Sequence, residues 1–179
     1  TMRLRPQMHT LFILTGIATR PQLLVFESPM LSLYSLRVVN LSTDAREIDV
    51  FFDDALVASD LPHQGITDRL TYATAPATLS VYAAGADLTI STPYLSGQRV
   101  SPTPGSTVTL AIYGPVADLR AAWIEQDMSP VPEGYSRVTF VHTVTDVATI
   151  RVGMNSSDLE NMRPFGYGNV STPMLFDER

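Results

Sequence analysis

Alternation with a period of two runs through most of the chain. Leu36, Val38 and Asn40 alternate with Arg37 and Val39, and Ile48-Asp49-Val50-Phe51 continues the pattern. Leu79-Ser80-Val81, Leu88-Thr89-Ile90, Val108-Thr109-Leu110-Ala111-Ile112, Val138-Thr139-Phe140 and Ile150-Arg151-Val152 follow. Such spacing puts one set of side chains on a core face and the other toward solvent, and it predicts half-buried strands. Thr, Val, Ile and Tyr dominate these runs and suit a pleated surface. Turn signals separate them: Asp53-Asp54 as a hairpin turn before Leu56-Val57, then Ala84-Gly85-Ala86-Asp87, Thr103-Pro104-Gly105-Ser106, and the Pro130, Pro132, Gly134 connection. Short strands and frequent turns predict an all-β, antiparallel sandwich. Val116–Glu125 is the best helix candidate, although a strand over Ala121–Ile124 competes with it.

Internal repetition is the strongest signal. Ser35–Asp44 (SLRVVNLSTD) resembles Arg137–Asp146 (RVTFVHTVTD) at an offset of 102, and Ile48 and Val50 match Ile150 and Val152 at the same offset. Leu61–Leu70 (LPHQGITDRL) matches Phe165–Met174 (FGYGNVSTPM) at an offset of 104. Thr10-Leu11-Phe12-Ile13 matches Thr109-Leu110-Ala111-Ile112 at 99, and after a one-residue slip Val25-Phe26-Glu27 matches Trp123-Ile124-Glu125. Drifting offsets are what loop insertions between related units produce. On this reading residues 1–33 are the closing part of one unit, 34–133 a complete unit of ordinary domain size, and 135–179 the opening part of a further unit. The last part stops short of the central hairpin that residues 75–100 supply in the complete unit.

A partial sandwich exposes an apolar face and unpaired strand edges. The segment Thr10–Phe26 is therefore expected to pair with strands of another half-unit, in its own chain or, preferably, in a neighbouring one. A rival reading takes Met2-Arg3-Leu4-Arg5 and Thr10–Leu14 as a signal peptide, but the repeat favours a strand. No segment reaches transmembrane length.

Composition narrows the function. With 45% apolar residues, 17% charged and a net charge of -6, the 179-residue chain is not a disordered one. The absence of Cys excludes a disulfide scaffold, a zinc-thiolate site and cysteine catalysis, and it hints at export. All 12 basic residues are Arg, which excludes a Schiff-base lysine and a phosphate-loop lysine. With a pI near 4.9 there is no basic stripe for nucleic acid.

Candidate chemistry is sparse. His9, His63 and His142 lie in different blocks without metal-ligand spacing. His142 shares the apolar face with Val138 and Phe140, as a hydrogen-bonded structural histidine would; His63 belongs to an exposed loop. No G-x-S-x-G elbow occurs, and Ser96-Gly97 and Gly105-Ser106 are turn dipeptides. Asp53-Asp54 and Asp177-Glu178 are the densest carboxylate pairs; adjacent carboxylates diverge on a strand or stay solvated in a turn, and Asp53-Asp54 has too few oxygens nearby for calcium. Gly166-Tyr167-Gly168 lacks the helix of a dinucleotide loop and marks a bulge or tight crossing. Trp123, Tyr72, Tyr82, Tyr94 and Tyr113 are dispersed and read as core or rim packing rather than a carbohydrate platform. Asn40-Leu41-Ser42, Asn155-Ser156-Ser157 and Asn169-Val170-Ser171 match the glycosylation triplet but carry little weight.

Arg137-Val138-Thr139-Phe140-Val141-His142 leading to Asp146, then Ile150-Arg151-Val152, resembles the opening motif R-V-x-h-x-H-x-S-P-D-A-P-x-V-D-V of the bacterial domain of unknown function 4397. The copy from Leu36 to Val50 keeps Asp44, Asp49 and Val50 but has Asn40 in place of the His. Neither copy has the Pro after Ser. Leu61–Leu70 is similar to the next segment, L-x-F-G-x-V-S-D-Y-L, and Val170-Ser171 fit it again. The closing strand before Glu125 and Asp127 also resembles the family's. The resemblance implies tandem immunoglobulin-like sandwiches in exported or cell-surface proteins, and it carries over no catalytic residue. The expectation is a non-enzymatic extracellular or cell-envelope module with a structural, spacer or adhesive role. It would need no cofactor or metal, and its partners would be copies of itself or neighbouring repeats, assembled by strand complementation into a filament or lattice. The alternative is a carbohydrate-binding or accessory domain of a secreted enzyme.

Overall fold

A computed structural model describes residues 8–17, 20–29, 33–73, 76–152 and 164–177. They fall into two compact units, 1–32 and 33–179. The first contributes a two-stranded antiparallel hairpin of β1 (Met8–Ile17) and β2 (Arg20–Pro29), with Thr10 opposite Glu27 and Leu11 opposite Phe26. Thr10–Leu14 thus lies within a strand.

The second unit is built around two four-stranded sheets. The strands are β3 (Leu33–Ser42), β4 (Glu47–Phe52), β5 (Ala55–Pro62), β6 (Leu70–Ala73), β7 (Ala77–Ala83), β8 (Leu95–Val100), β9 (Thr107–Gly114) and β10 (Arg120–Glu125). One sheet has the order β10-β9-β3-β6, the other β5-β4-β7-β8. Leu36, Val38, Val108, Leu110 and Ile112 from the first face Ile48, Val50, Leu79 and Val81 from the second in a single core, and all nine are fully buried. They are the aliphatic positions of the period-two pattern, and each contributes roughly 1.5–3 kcal/mol by leaving water.

Turn chemistry closes the hairpins. Asp53 sits at φ 51 between β4 and β5, and its carboxylate accepts the Thr78 amide at 2.9 Å. Asp49 accepts the Asp60 amide on one oxygen and the Gly85 amide on the other, which ties β5 and the turn after β7 across β4.

The structure departs from the sequence pattern in several places. Leu88-Thr89-Ile90 alternates like a strand but forms a turn, because Asp87 Oδ1 captures both the amide and the hydroxyl of Thr89. Ile90 is left 83% exposed. Val116–Glu125 is not a helix: a short 3-10 turn (Val116–Asp118) precedes β10, and Ala121–Ile124 is strand. The sheets are not wholly antiparallel, since β3 and β9 run parallel, from Ser35 opposite Thr107 to Ser42 opposite Gly114.

Beyond β10 the chain forms β11 (Tyr135–Val138), β12 (Thr149–Ile150), β13 (Phe165–Gly166) and β14 (Met174–Asp177). Strand β11 ends at Val138, short of the expected Phe140, and β12 stops at Ile150. Strand β11 pairs with β14, and β12 with β13.

Candidate functional site

These four short strands repeat the pairings of β3 with β6 and of β4 with β5, position for position. Leu36 faces Leu70 across β3 and β6, and Val138 faces Met174 across β11 and β14. Ile48 faces Leu61, and Ile150 faces Phe165. The isolated bridge Val39–Ile66 has its counterpart in Val141–Val170. Every first partner is displaced by 102 residues and every second partner by 104, the spacings of the two sequence blocks.

The local bonds repeat as well. The Val38 amide donates to Thr67 Oγ1, and the Phe140 amide to Ser171 Oγ. The Asn40 amide donates to the Gly65 carbonyl, and the His142 amide to that of Asn169. Asn40 and His142 are both fully buried. Asn40 Oδ1 accepts the Ser42 amide at 3.0 Å while its Nδ2 donates to the Leu61 carbonyl. His142 Nδ1 accepts the Val144 amide at 3.3 Å, which leaves Nε2–H to donate to the Val147 carbonyl at 2.8 Å. Both side chains act as structural plugs for the bend after the strand.

The second copy differs from the first in what covers it. Leu36, Val38, Ile48 and Leu61 are buried, whereas Val138, Phe140, Ile150 and Phe165 are only half-buried. In β3 the amides of Val38 and Asn40 face the segment around residues 64–67, and Arg37, Val39 and Leu41 lie on the edge that carries β9. The corresponding edge of the second copy, at Arg137, Thr139 and Val141, carries no strand among the described residues. Among the described residues, the candidate site is this partly covered apolar pairing of β11–β14 and β12–β13 and the β11 side that no described strand pairs.

The segment that follows β10 is held against the outer face of the first sheet. Tyr167 packs edge-on against Tyr113 at 5.5 Å and joins an outward cluster with Val39, Leu41, Ala111 and Ile124. Gly168, at φ 79, lets the chain pass against the Tyr113 hydroxyl. Arg120, bonded to Asp118 at 2.7 Å, lies over the Tyr167 ring. Burial, and then the nearby Tyr167, push the Tyr113 pKa up. Beside this contact runs a groove of about 410 Å³ lined by Thr109, Ile124, Met128, Arg137, Thr139 and Val141. Arg137 donates to the carbonyls of Asp127 and Ser129 and to Ser129 Oγ, so its guanidinium is used to hold the connecting turn. Bonds from Ser129, and then the charge of Arg137, hold the Asp127 carboxyl below its usual range.

The remaining candidates do not converge. His63 is exposed, the side chain of His9 lies outside the described residues, and no cluster of three or more His, Asp or Glu occurs among the described residues. Asp177 stands on β14 opposite Tyr135, and Glu178 lies outside the described residues. Of the glycosylation triplets, Asn40 is buried and bonded, Asn155 is outside the described residues, and Asn169 is exposed. The aromatic residues are not dispersed as the sequence suggests. Tyr72 and Trp123 meet Tyr34 and Phe52 at centroid distances of 5.9–6.3 Å in a cluster packed on the core. Tyr82 packs edge-on against Phe51, and Tyr94 packs on the core. No helix among the described residues is long and apolar enough to cross a membrane.

The model of the family described as Domain of unknown function (DUF4397) matches residues 34–153, from the start of β3 past the end of β12. The chain belongs to this family. Its family segment thus spans the two four-stranded sheets and the strands β11 and β12. Comparison with curated proteins gives no match.

Proposed function

We propose that this chain is a non-enzymatic structural module of an extracellular or cell-envelope protein, built from tandem immunoglobulin-like β-sandwich units. It assembles with copies of itself by strand complementation, as a spacer or adhesive element of a filament or lattice. The observation that carries this reading is the recurrence of the β3–β6 and β4–β5 pairings in β11–β14 and β12–β13. Units that repeat a pairing scheme while leaving one copy half-covered favour contact with a neighbour over a free surface. The residues with the most chemistry available, Asn40, His142, Asp49 and Arg137, are engaged in holding turns. The absence of Cys suits export. A carbohydrate platform loses support because Trp123 and Tyr72 pack on the core.

Sedimentation velocity over a wide concentration range tests the reading. Expected is a mass that grows with concentration. A monomer at every concentration contradicts assembly, and glycan-array binding abolished by a change at Trp123 contradicts the structural role.

A further inference from the structure

We propose that the groove beside Val141 docks an uncharged, extended segment of a partner chain, seated along Val141 as β9 is seated along β3. The inference goes beyond the assembly reading above, because it specifies the chemistry of the bound segment and not the chain that carries it.

The main chain at Val141 has a side to offer. Val141 and Val170 form an antiparallel bridge whose hydrogen bonds are made by their neighbours: the His142 amide donates to the Asn169 carbonyl, and the Ser171 amide to the Phe140 carbonyl. In a bridge of this kind the paired residues keep their own amide and carbonyl on the far side. Val141 therefore turns both groups away from residues 168–171, toward a side that no described strand pairs. Val141 also lines the groove of about 410 Å³.

The same chain holds this arrangement in a filled form. Val39 and Ile66 form the same bridge, with the Asn40 amide on the Gly65 carbonyl and the Thr67 amide on the Val38 carbonyl. On the far side of Val39 lies β9, parallel, with Ala111 beside it. The alternate residues Val108, Leu110 and Ile112 of β9 enter the core, and Ala111 belongs to the outward cluster. Leu36 and Val38 are fully buried there, whereas their counterparts Val138 and Phe140 are half-buried. A segment of the β9 pattern beside Val141 gains main-chain hydrogen bonds and lends apolar cover together.

The groove walls select against charge. Arg137 donates to the carbonyls of Asp127 and Ser129 and to Ser129 Oγ, and it stands 3.5 Å from the Asp127 carboxylate. Asp127 accepts the Ser129 amide, and Gln126 Nε2 donates to Thr109 Oγ1 at 3.4 Å. The polar wall groups are thus bonded to their neighbours, while Ile124 and the 68% exposed Met128 supply apolar surface. A charge entering here loses water without meeting a free counter-charge. Uncharged residues such as the Thr and Ala that alternate along β9 carry no such cost.

The probe is a synthetic peptide of the β9 sequence, Thr107–Gly114, with a soluble fluorescent tag, titrated into the full chain and read by fluorescence anisotropy. In the β3–β9 pair the Ser35 amide donates to the Ser106 carbonyl and the Thr43 amide to the Gly114 carbonyl, so the even-numbered residues of β9 turn their main-chain groups toward β3. Expected is saturable binding that falls about tenfold when the peptide amide of Leu110 or Ile112 is N-methylated and changes less than about twofold when that of Ala111 is. These probes leave the protein itself unchanged. Met128→Glu, an exposed change on the groove wall, should weaken binding several-fold, whereas exchange of the peptide for the protein's own β9 would be indifferent to it. No saturable binding, binding unaffected by Met128→Glu, or equal loss from methylation at Leu110, Ile112 and Ala111 overturns the proposal. Binding of the expected kind by a chain that sediments as a monomer upholds the groove and contradicts self-assembly alone.

Discussion

Asn40 and His142 do the same work 102 residues apart. Each is buried, each accepts the amide two residues on, and each has its own carbonyl bonded to an amide in the partner segment, Gln64 for Asn40 and Gly168 for His142. Asn and His both offer an acceptor and a donor at this bend, so either side chain can fill the position. His142→Ala leaves the Val144 amide and the Val147 carbonyl without their partner and is expected to cost about 1–3 kcal/mol in urea unfolding. His142→Asn restores the amide acceptor and should cost clearly less. Equal losses for the two variants would count against the shared role.

Ile48 and Ile150 form a matched pair with different surroundings. Ile48 is fully buried, whereas Ile150 is half-buried. Ile48→Ala is expected to cost about 2–5 kcal/mol, as for other core truncations. Ile150→Ala should cost about 1–2 kcal/mol in dilute protein, because part of the side chain is still in water. Denaturant titration of both variants checks the difference.

Gly168 has φ 79, and a Cβ there would collide with the Tyr113 hydroxyl. Gly168→Ala is therefore expected to loosen the second copy from the sandwich, read as faster proteolysis after residue 133. Adding Tyr113→Phe removes the colliding oxygen and should recover part of the loss. The left-handed backbone cost stays, so recovery is incomplete.

Tyr34 supplies a pH test. Burial, and then the nearby Tyr72, push its pKa from 10.0 up to about 12. A folded-state pKa above the unfolded value favours the folded protein fully below pH 10.0, and that contribution disappears as pH climbs to about 12. Stability should therefore fall more steeply between those values in the wild type than in Tyr34→Phe. Parallel slopes in thermal melts would contradict the burial of this hydroxyl.

The sandwich strands were legible because aliphatic residues recur at every second position where one face is buried, as at Leu36 and Val38 or Leu79 and Val81. The second copy was legible through spacing alone, since Val138 and Phe140 keep the pattern without the burial. Leu88-Thr89-Ile90 misled because alternation says nothing of an Asp at position 87 that captures the next turn. The parallel partnership of β3 and β9 joins strands more than 60 residues apart, and no local pattern encodes it. The aromatic cluster is similar: Tyr34, Phe52, Tyr72 and Trp123 come from four separate strands and meet only through the sheet order. The pairing of the 140–142 segment with 168–171 needed the bonds of Phe140 and His142, which no local pattern encodes.

Hydrogen exchange at the Thr139 and Val141 amides, followed as a function of protein concentration, tests the assembly most directly. Both amides lie on the edge without a strand among the described residues, and both should exchange quickly in dilute solution. Their protection is expected to rise with concentration, while the Val38 and Leu110 amides inside the β10-β9-β3-β6 sheet stay protected throughout. Fast exchange at Thr139 and Val141 at every concentration would contradict assembly through this edge.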